Sequence, residues 1–174
     1  MKSLSSYIQE KLIIKKSNYK YFPDTKKELK DLILQRIKEE GNEVNLNDID
    51  VSKITDMTSL FEGTDFNGNI SGWDVSNVTN MYAMFYRCEA FNQDISSWDV
   101  YNVTNMNAMF AWCENFNQDI SSWDVYNVTS MTRMFFWCKD FNQDISSWDV
   151  FYVKYFTDIF YNCKIKEKHK PKFK

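Results

Sequence analysis

A 25-residue repeat constrains this chain more than any other feature. Each unit reads F-N-Q-D-I-S-S-W-D-V-Y-N-V-T-N-M-x-x-M-F-x-x-C with small variations. The columns that stay in register include Trp73, Trp98, Trp123 and Trp148; Phe85, Phe110, Phe135 and Phe160; and Cys88, Cys113, Cys138 and Cys163. An altered unit precedes them at an offset of 24, with matching apolar residues at Leu46, Ile49, Val51, Ile54, Met57 and Phe61. A fixed period of this length predicts stacked repeat units, each touching only its neighbours, with the four Trp side chains in one column.

Two spacings inside the unit predict its local structure. The segment from Phe91 to Ser96 suits a short strand whose Phe and Ile side chains point inward. The later apolar residues follow the i, i+3, i+4, i+7 spacing of one helix face, at Met106, Met109, Phe110 and Cys113. Together these spacings predict an α/β repeat solenoid of short parallel strands and short helices over residues 44–163.

The unit W-D-V-x-N-V-T-x-M-x-x-M-F-x-x-C resembles the BspA-like leucine-rich repeats of bacterial surface proteins and mycoplasma lipoproteins. The resemblance covers residue 44 to about residue 163. It implies a leucine-rich-repeat-like right-handed coil and a role in adhesion or protein binding. The sequence differs from the surface members because we read no export signal, lipobox or membrane span in it, so we expect a cytoplasmic protein with reduced thiols.

The segments that flank the repeats differ from them in composition. Residues 1–43 are expected to form an N-terminal cap with one helix near 25–40, which begins at a Thr25/Glu28 capping box and ends at Gly41. The apolar stripe that would cover the first unit comprises Leu29, Leu32, Ile33 and Ile37. Residues 164–174 form a basic C-terminal tail, which is expected to be a solvated terminus.

The distribution of charge argues against a nucleic-acid partner. Residues 51–150 carry four basic and thirteen acidic side chains, whereas residues 151–174 carry seven basic and two acidic ones. Nucleic-acid binding draws its affinity from Lys and Arg side chains that displace counterions from phosphates. We therefore expect neither a nucleic-acid partner nor a membrane partner for the acidic repeats.

The repeated polar and sulfur side chains do not predict a metal or cofactor site. The Cys residues lack C-x-x-C spacing, and we expect them to be packed in the interior as small apolar groups. Two columns of Asp, exemplified by Asp94 and Asp99, occur without the Gly-rich turns of calcium sites, so we expect them to accept hydrogen bonds from turn amides. The Asn-x-Thr triplets are expected to serve turns rather than glycosylation.

Catalysis is not expected from this sequence. The single histidine, His169, lies in the Lys-rich tail. The chain contains neither a nucleophile elbow nor a glycine-rich phosphate loop. We therefore predict no catalytic residues.

The positions that vary between units point to a binding surface. Large aromatic residues occur where the core pattern does not require them, and exposed Tyr and Trp are typical binding anchors. The predicted partner-binding residues are Tyr101, Trp112, Tyr126, Phe136 and Trp137. The alternative is that these rings stack laterally and only stabilise the units.

The sequence therefore predicts a non-enzymatic protein–protein interaction module whose partner is another protein. One alternative is a structural subunit that docks through its last unit in a larger assembly, since Phe156, Ile159 and Phe160 would otherwise lack a cover. A second alternative is a surface adhesin.

Overall fold

A computed structural model describes residues 18–174. Among these residues the one α-helix, α1, spans Lys26–Glu40 and lies where the sequence predicts a helix. The Thr25 side chain accepts a hydrogen bond from the Glu28 N–H at 3.2 Å, and the Glu28 carboxylate accepts one from the Asp24 N–H at 2.8 Å. Gly41 ends the helix with φ 92° and donates its N–H to the Ile37 carbonyl at 2.9 Å. These bonds satisfy amides and carbonyls that a helix leaves free at its ends.

Helix α1 packs against the first repeat unit. Leu29 and Ile33 are fully buried in the same apolar cluster as Leu60 and Phe61. At the edge of this contact the Lys30 ammonium donates to the Ser59 carbonyl at 2.6 Å. The helix thus covers the apolar end of the stack, which an uncapped repeat would expose to water.

The predicted α/β fold, a leucine-rich-repeat-like right-handed solenoid of parallel strands and short helices, is wrong. Within residues 18–174 the only helix besides α1 is a 3-10 helix at Glu167–His169, and no strand is formed. Parallel pairing is limited to isolated bridges, of which four join consecutive units at Asp56, Asn80, Asn105, Ser130 and Tyr155. The repeats are built from successive turns instead.

Left-handed residues explain why the helix spacing did not yield helices. Each unit contains two residues with positive φ, such as Ala108 at 53° and Trp112 at 65°. Turns form between them through i+3 hydrogen bonds, from Met109 N–H to Met106 O and from Cys113 N–H to Phe110 O. A right-handed helix requires consecutive negative φ values and i+4 bonds, so the apolar side chains share one face without a helix.

Alternate amides in the same segment join neighbouring units. Four N–H groups of one unit donate to carbonyls of the next at 2.8 to 3.0 Å, from Met106 to Ser130, Ala108 to Thr132, Phe110 to Met134 and Trp112 to Phe136. The same four-bond pattern recurs at each of the other three junctions between the units that begin near residues 42, 66, 91, 116 and 141. The turns therefore stack in register, although no continuous strand runs through them.

Side-chain amides replace the predicted strand pairing. The Asn92 side chain accepts the Asn117 N–H at 3.0 Å, and the Gln118 side chain donates to the Asn92 carbonyl at 2.8 Å. The next junction repeats both bonds between Asn117 and the pair Asn142 and Gln143. A strand would need these backbone groups to pair with each other, so Asn and Gln at these positions favour a side-chain ladder.

The interior of the stack consists of aromatic columns. Adjacent Phe rings lie 5.6 Å apart from Phe85 to Phe110 and again from Phe110 to Phe135. Each of the four Trp side chains in register, from Trp73 to Trp148, donates its indole N–H to a carbonyl of the preceding unit, as from Trp123 to Ile95 at 3.1 Å. The indoles stack at 6.4 Å between Trp73 and Trp98 and between Trp123 and Trp148. The predicted Trp column is therefore confirmed.

The basic tail packs on the last repeat instead of extending into solvent. Ile165 and Pro171 are buried. The Lys166 N–H donates to the Asn142 side chain at 3.0 Å, in the same way that the Asn142 N–H donates to the Asn117 side chain of the preceding unit. The Phe173 ring stacks on Phe156 at 4.9 Å. The expectation of a solvated terminus is thus wrong, because a few apolar residues between the lysines suffice to cover an apolar end.

The division into a cap at 1–43, repeats at 44–163 and a tail at 164–174 stays a prediction, and the part of the cap before residue 18 lies outside the described residues. No helix within residues 18–174 combines the length and the apolar composition that a membrane crossing requires.

Candidate functional site

A cleft of about 480 Å³ lies on the outer face of the stacked turns. Its floor contains three small side chains, Ala83, Ala108 and Ala111. The larger residues that line it are Glu62, Tyr82, Tyr86, Asn107, Trp112, Thr132, Arg133 and Phe136. Its volume is within the range of sites that hold a small molecule or one side chain of a partner.

The cleft exists because one residue interrupts a surface column. The equivalent outward position holds Tyr86, Ala111, Phe136 and Tyr161 in successive units. Where two aromatic members are adjacent they stack, with the Phe136 and Tyr161 ring centroids 5.1 Å apart. Ala111 supplies no ring and is itself 1% exposed, so the aromatic column is interrupted between Tyr86 and Phe136, and both of these rings line the cleft.

Trp112 lines this opening, and Trp137 stacks on Trp112 from the next unit. The Trp112 and Trp137 rings stack with their centroids 4.6 Å apart, and Trp112 lies 6.0 Å from the Phe136 ring. Both Trp side chains are half-buried, and both residues have left-handed backbones, with φ of 65° and 59°. Every unit has positive φ at this position: the first and last units carry Gly63 and Asn162, the residue types best suited to it, and the second unit carries Arg87 at 58°. The two Trp residues therefore adopt a backbone conformation that is unfavourable for bulky side chains.

Charged side chains flank the cleft. Glu62 lies at its edge in the first unit, and Arg133 lines it in the fourth unit. The Arg133 guanidinium lies 5.4 Å from the Phe136 ring centroid and 3.6 Å from the Asp158 carboxylate. The Arg87 guanidinium lies 5.4 Å from the Tyr86 ring centroid, so each aromatic side of the opening carries a cation over its ring.

A second aromatic strip lies elsewhere on the surface. Tyr101 is 47% exposed and Tyr126 is 38% exposed, and neither lines the cleft. The Tyr126 ring packs edge-on against Tyr152 at 5.0 Å.

The structure therefore divides the predicted binding residues into two groups. Trp112 and Phe136 line the cleft and Trp137 stacks on Trp112 beside it, whereas Tyr101 and Tyr126 belong to the separate strip. The exposure expected for Tyr101, Trp112, Tyr126 and Trp137 is present, since all four are at least partly exposed, and Phe136 is also partly exposed. Sequence reasoning missed Tyr82, Tyr86, Ala111 and Arg133. The signal for Ala111 was present, because it is the one small residue in an otherwise aromatic column.

The thiol column lies in the interior, away from the cleft. Cys88, Cys113 and Cys138 are buried and Cys163 is half-buried. Each of the two central thiols donates to a carbonyl of the preceding unit, Cys113 to Phe85 at 2.9 Å and Cys138 to Phe110 at 2.8 Å. Burial raises the pKa of Cys88 and of Cys163 to about 11, and it raises the pKa of Cys113 and Cys138 as well. Protonated, enclosed thiols suit packing, not nucleophilic chemistry.

The two carboxylate columns accept hydrogen bonds from turn amides, as predicted. The Asp94 side chain accepts the Ser96 N–H at 2.9 Å, and Asp99 accepts the Tyr101 N–H at 3.1 Å. The bond from the Ser96 backbone is the largest influence on Asp94 and lowers the pKa of its carboxyl. Within residues 18–174 no group of three or more His, Cys, Asp or Glu side chains is placed to hold a metal ion.

The repeats and the preceding helix match one protein family. The family described as "Mycoplasma protein of unknown function, DUF285" matches residues 29–136 and residues 97–173, which together span most of α1, every repeat unit and nearly all of the tail. Comparisons with curated proteins and with solved structures find no match. The family match includes all the residues of the cleft and covers most of the chain, and the chain therefore belongs to the DUF285 family of Mycoplasma proteins of unknown function.

Proposed function

We propose that this protein is a non-enzymatic binding module for another protein and that the cleft above Ala111 is its binding site. The observation that carries the proposal is the interruption of the aromatic column at Ala111, which opens a cleft of about 480 Å³ between Tyr86 and Phe136. Aromatic side chains around a concave, partly desolvated surface are the residues that dominate protein–protein affinity.

The backbone around the cleft supports a preorganised site. The turns that carry Ala108, Ala111 and Trp112 are bonded both within their unit and to the next one, at 2.8 to 3.2 Å. A site on such a support loses little conformational freedom when a partner binds, and more of the contact energy remains as affinity.

The left-handed tryptophans also support a binding role. Gly or Asn at positions 112 and 137 would lower the energy cost of the left-handed backbone conformation, as Gly63 does in the first unit and Asn162 in the last. The chain instead carries indole rings there, beside the cleft. An unfavourable backbone conformation at a surface position is typical of residues retained for their contacts with a partner.

The likeness of the unit to BspA-like repeats agrees with this proposal, since proteins with similar repeats are often used for adhesion or protein binding. An adhesin would use the same cleft toward a host protein. Localisation of the native protein on the cell surface would favour that form of the proposal.

The test compares two double variants in affinity capture from the native source. Trp112→Asn/Trp137→Asn removes the Trp112 ring that lines the cleft together with the Trp137 ring stacked on it, and it introduces the residue found at Asn162, whereas Tyr101→Ala/Tyr126→Ala removes the rings of the separate strip. We expect the cleft variant to lose the captured partner by tenfold or more, since truncating a central anchor costs about 2 kcal/mol. We expect the strip variant to retain it. Capture that is unchanged in the cleft variant, with both proteins folded, would refute the proposal.

A second candidate function, docking of another chain on the last unit, is favoured by one observation. At the other junctions four alternate N–H groups donate to the next unit, but among the described residues no acceptor faces the equivalent N–H groups of Phe156, Asp158, Phe160 and Asn162. Tyr155 and Tyr161 beside them are 64% and 55% exposed. Sedimentation of the native assembly with Tyr155→Ala/Tyr161→Ala tests this candidate, which predicts a smaller particle.

A further inference from the structure

We infer that the cleft receives one aromatic side chain of the partner, inserted between Tyr86 and Phe136 above Ala111. This inference rests on the proposed function and deepens it, because it names the chemical group that the site recognises. The inserted ring takes the place of the ring that position 111 lacks.

The spacing of the neighbouring column sets the size of the opening. Ala111 follows Phe110 directly in the chain, and the Phe85, Phe110 and Phe135 rings lie 5.6 Å apart from one unit to the next. Tyr86 directly follows Phe85 and Phe136 directly follows Phe135, so the gap between Tyr86 and Phe136 spans two of these 5.6 Å ring spacings. Stacked aromatic rings prefer centroid separations of about 4.5 to 7 Å, so a gap of two steps accommodates one ring and not two.

The surroundings of the gap favour a ring over an aliphatic side chain. Phe136 is already stacked on Tyr161 through one side, at an interplanar angle of 15°, which holds its ring parallel to the expected guest. Arg133 lines the cleft within 5.4 Å of the Phe136 centroid, and a guanidinium in this position is attracted to the face of an aromatic ring. An aliphatic guest gains neither the stacking nor the attraction to the cation.

The experiment measures binding of capped amino acids to the full chain by amide chemical shifts. The probes are N-acetyl-L-tyrosinamide, N-acetyl-L-tryptophanamide and N-acetyl-L-leucinamide. We expect both aromatic probes to bind about tenfold more tightly than the leucine probe, since stacking on two ring faces contributes about that factor. The shifts should be confined to the residues around Ala111, namely Tyr86, Trp112, Arg133 and Phe136.

Two variants make the test specific. Ala111→Phe fills the gap with the ring that Phe136 carries one unit later, and it should abolish probe binding. The control Ser76→Tyr adds a ring in the column of Tyr101 and Tyr126, outside the cleft, and should leave probe binding unchanged. If Ala111→Phe does not fold, Ala111→Leu fills part of the same space and should weaken the aromatic probes.

Two results would overturn the inference: equal binding of the leucine and aromatic probes, or aromatic binding that survives in a folded variant with a filled gap. The proposed function fails separately. If partner capture depends on Trp112 and Trp137 while the aromatic probes show no preference, the cleft binds a partner through some other group and only the inserted ring is wrong.

Discussion

Two aromatic columns run side by side through this protein, one residue apart in the chain, and they behave differently. The inner column of Phe85, Phe110 and Phe135 is fully buried and continuous. The outer column has Ala111 between Tyr86 and Phe136 and is open at that point. The inner column shows what stacking requires of every unit, whereas the outer one shows where the chain is free to depart from the repeat.

This difference indicates that the inner column serves stability, whereas the outer column can vary for partner recognition. A buried ring that contacts rings above and below it cannot change without leaving a cavity, so the inner column repeats. The Tyr86 and Phe136 rings of the outer column are only partly buried, so the loss of such a ring removes less packing than the loss of an inner ring. The residues of the outer face that differ between units are therefore the ones that a partner can recognise.

The largest expected effect is the loss of an inner ring. Phe110→Ala should lower the free energy of unfolding by about 3–5 kcal/mol, because it removes a fully buried side chain and leaves a cavity between two rings. Urea unfolding followed by circular dichroism measures the change. A loss below about 1 kcal/mol would show that the inner column does not hold the units together.

The thiol column predicts a pH dependence of stability. Burial raises the pKa of Cys88 to about 11 in the folded protein, above the ordinary value of 9.0. The thiol contribution is fully present below pH about 9 and is lost as pH rises toward 11, because the unfolded chain releases the proton more easily. Cys88 alone should contribute about 2 kcal/mol to this decline.

The measurement is urea unfolding at several pH values between 8 and 11, compared between wild type and Cys88→Ser, since a hydroxyl does not titrate in this range. The variant should lose less stability than wild type as pH rises. If the free energy of unfolding falls with pH at the same rate in both proteins, the Cys88 thiol is not held protonated by burial.

A smaller effect is expected when outer rings are removed. Trp112→Asn/Trp137→Asn should change the melting temperature by only a few degrees, because the lost stacking of two half-buried rings is offset by relief of two left-handed residues. Differential scanning calorimetry gives this value. A drop of 10 degrees or more would indicate that the rings stabilise the stack, and that the alternative in which the aromatic columns only stabilise is correct.

The sequence predicts which side chains meet in this protein better than it predicts the backbone conformation. The 25-residue period places Trp73, Trp98 and their equivalents in one column, since identical residues at one interval must meet when units stack. The same period does not distinguish a helix from successive turns, because both can direct Met106, Met109 and Phe110 to one face. The positive φ of Ala108 decides between them, and Ala carries no sequence signal for that conformation.

The candidate site was predictable only in part. Variation between units identifies Trp112, Phe136 and Trp137, but it also selects Tyr101 and Tyr126, which lie on another part of the surface. Searching for large residues overlooks Ala111, although the absence of its ring forms the cleft. The tail was misjudged for a similar reason, because Ile165, Pro171 and Phe173 pack between lysines that dominate its composition.

The smallest expected effect on stability, and the largest on binding, comes from restoring the missing ring. In Ala111→Phe the outer column becomes continuous like the inner one, so the melting temperature should stay the same or rise slightly. Partner capture from the native source should fall by tenfold or more, because the cleft is filled. We therefore expect a folded Ala111→Phe protein of undiminished stability that no longer binds the partner. Full partner capture by the folded Ala111→Phe variant would contradict it.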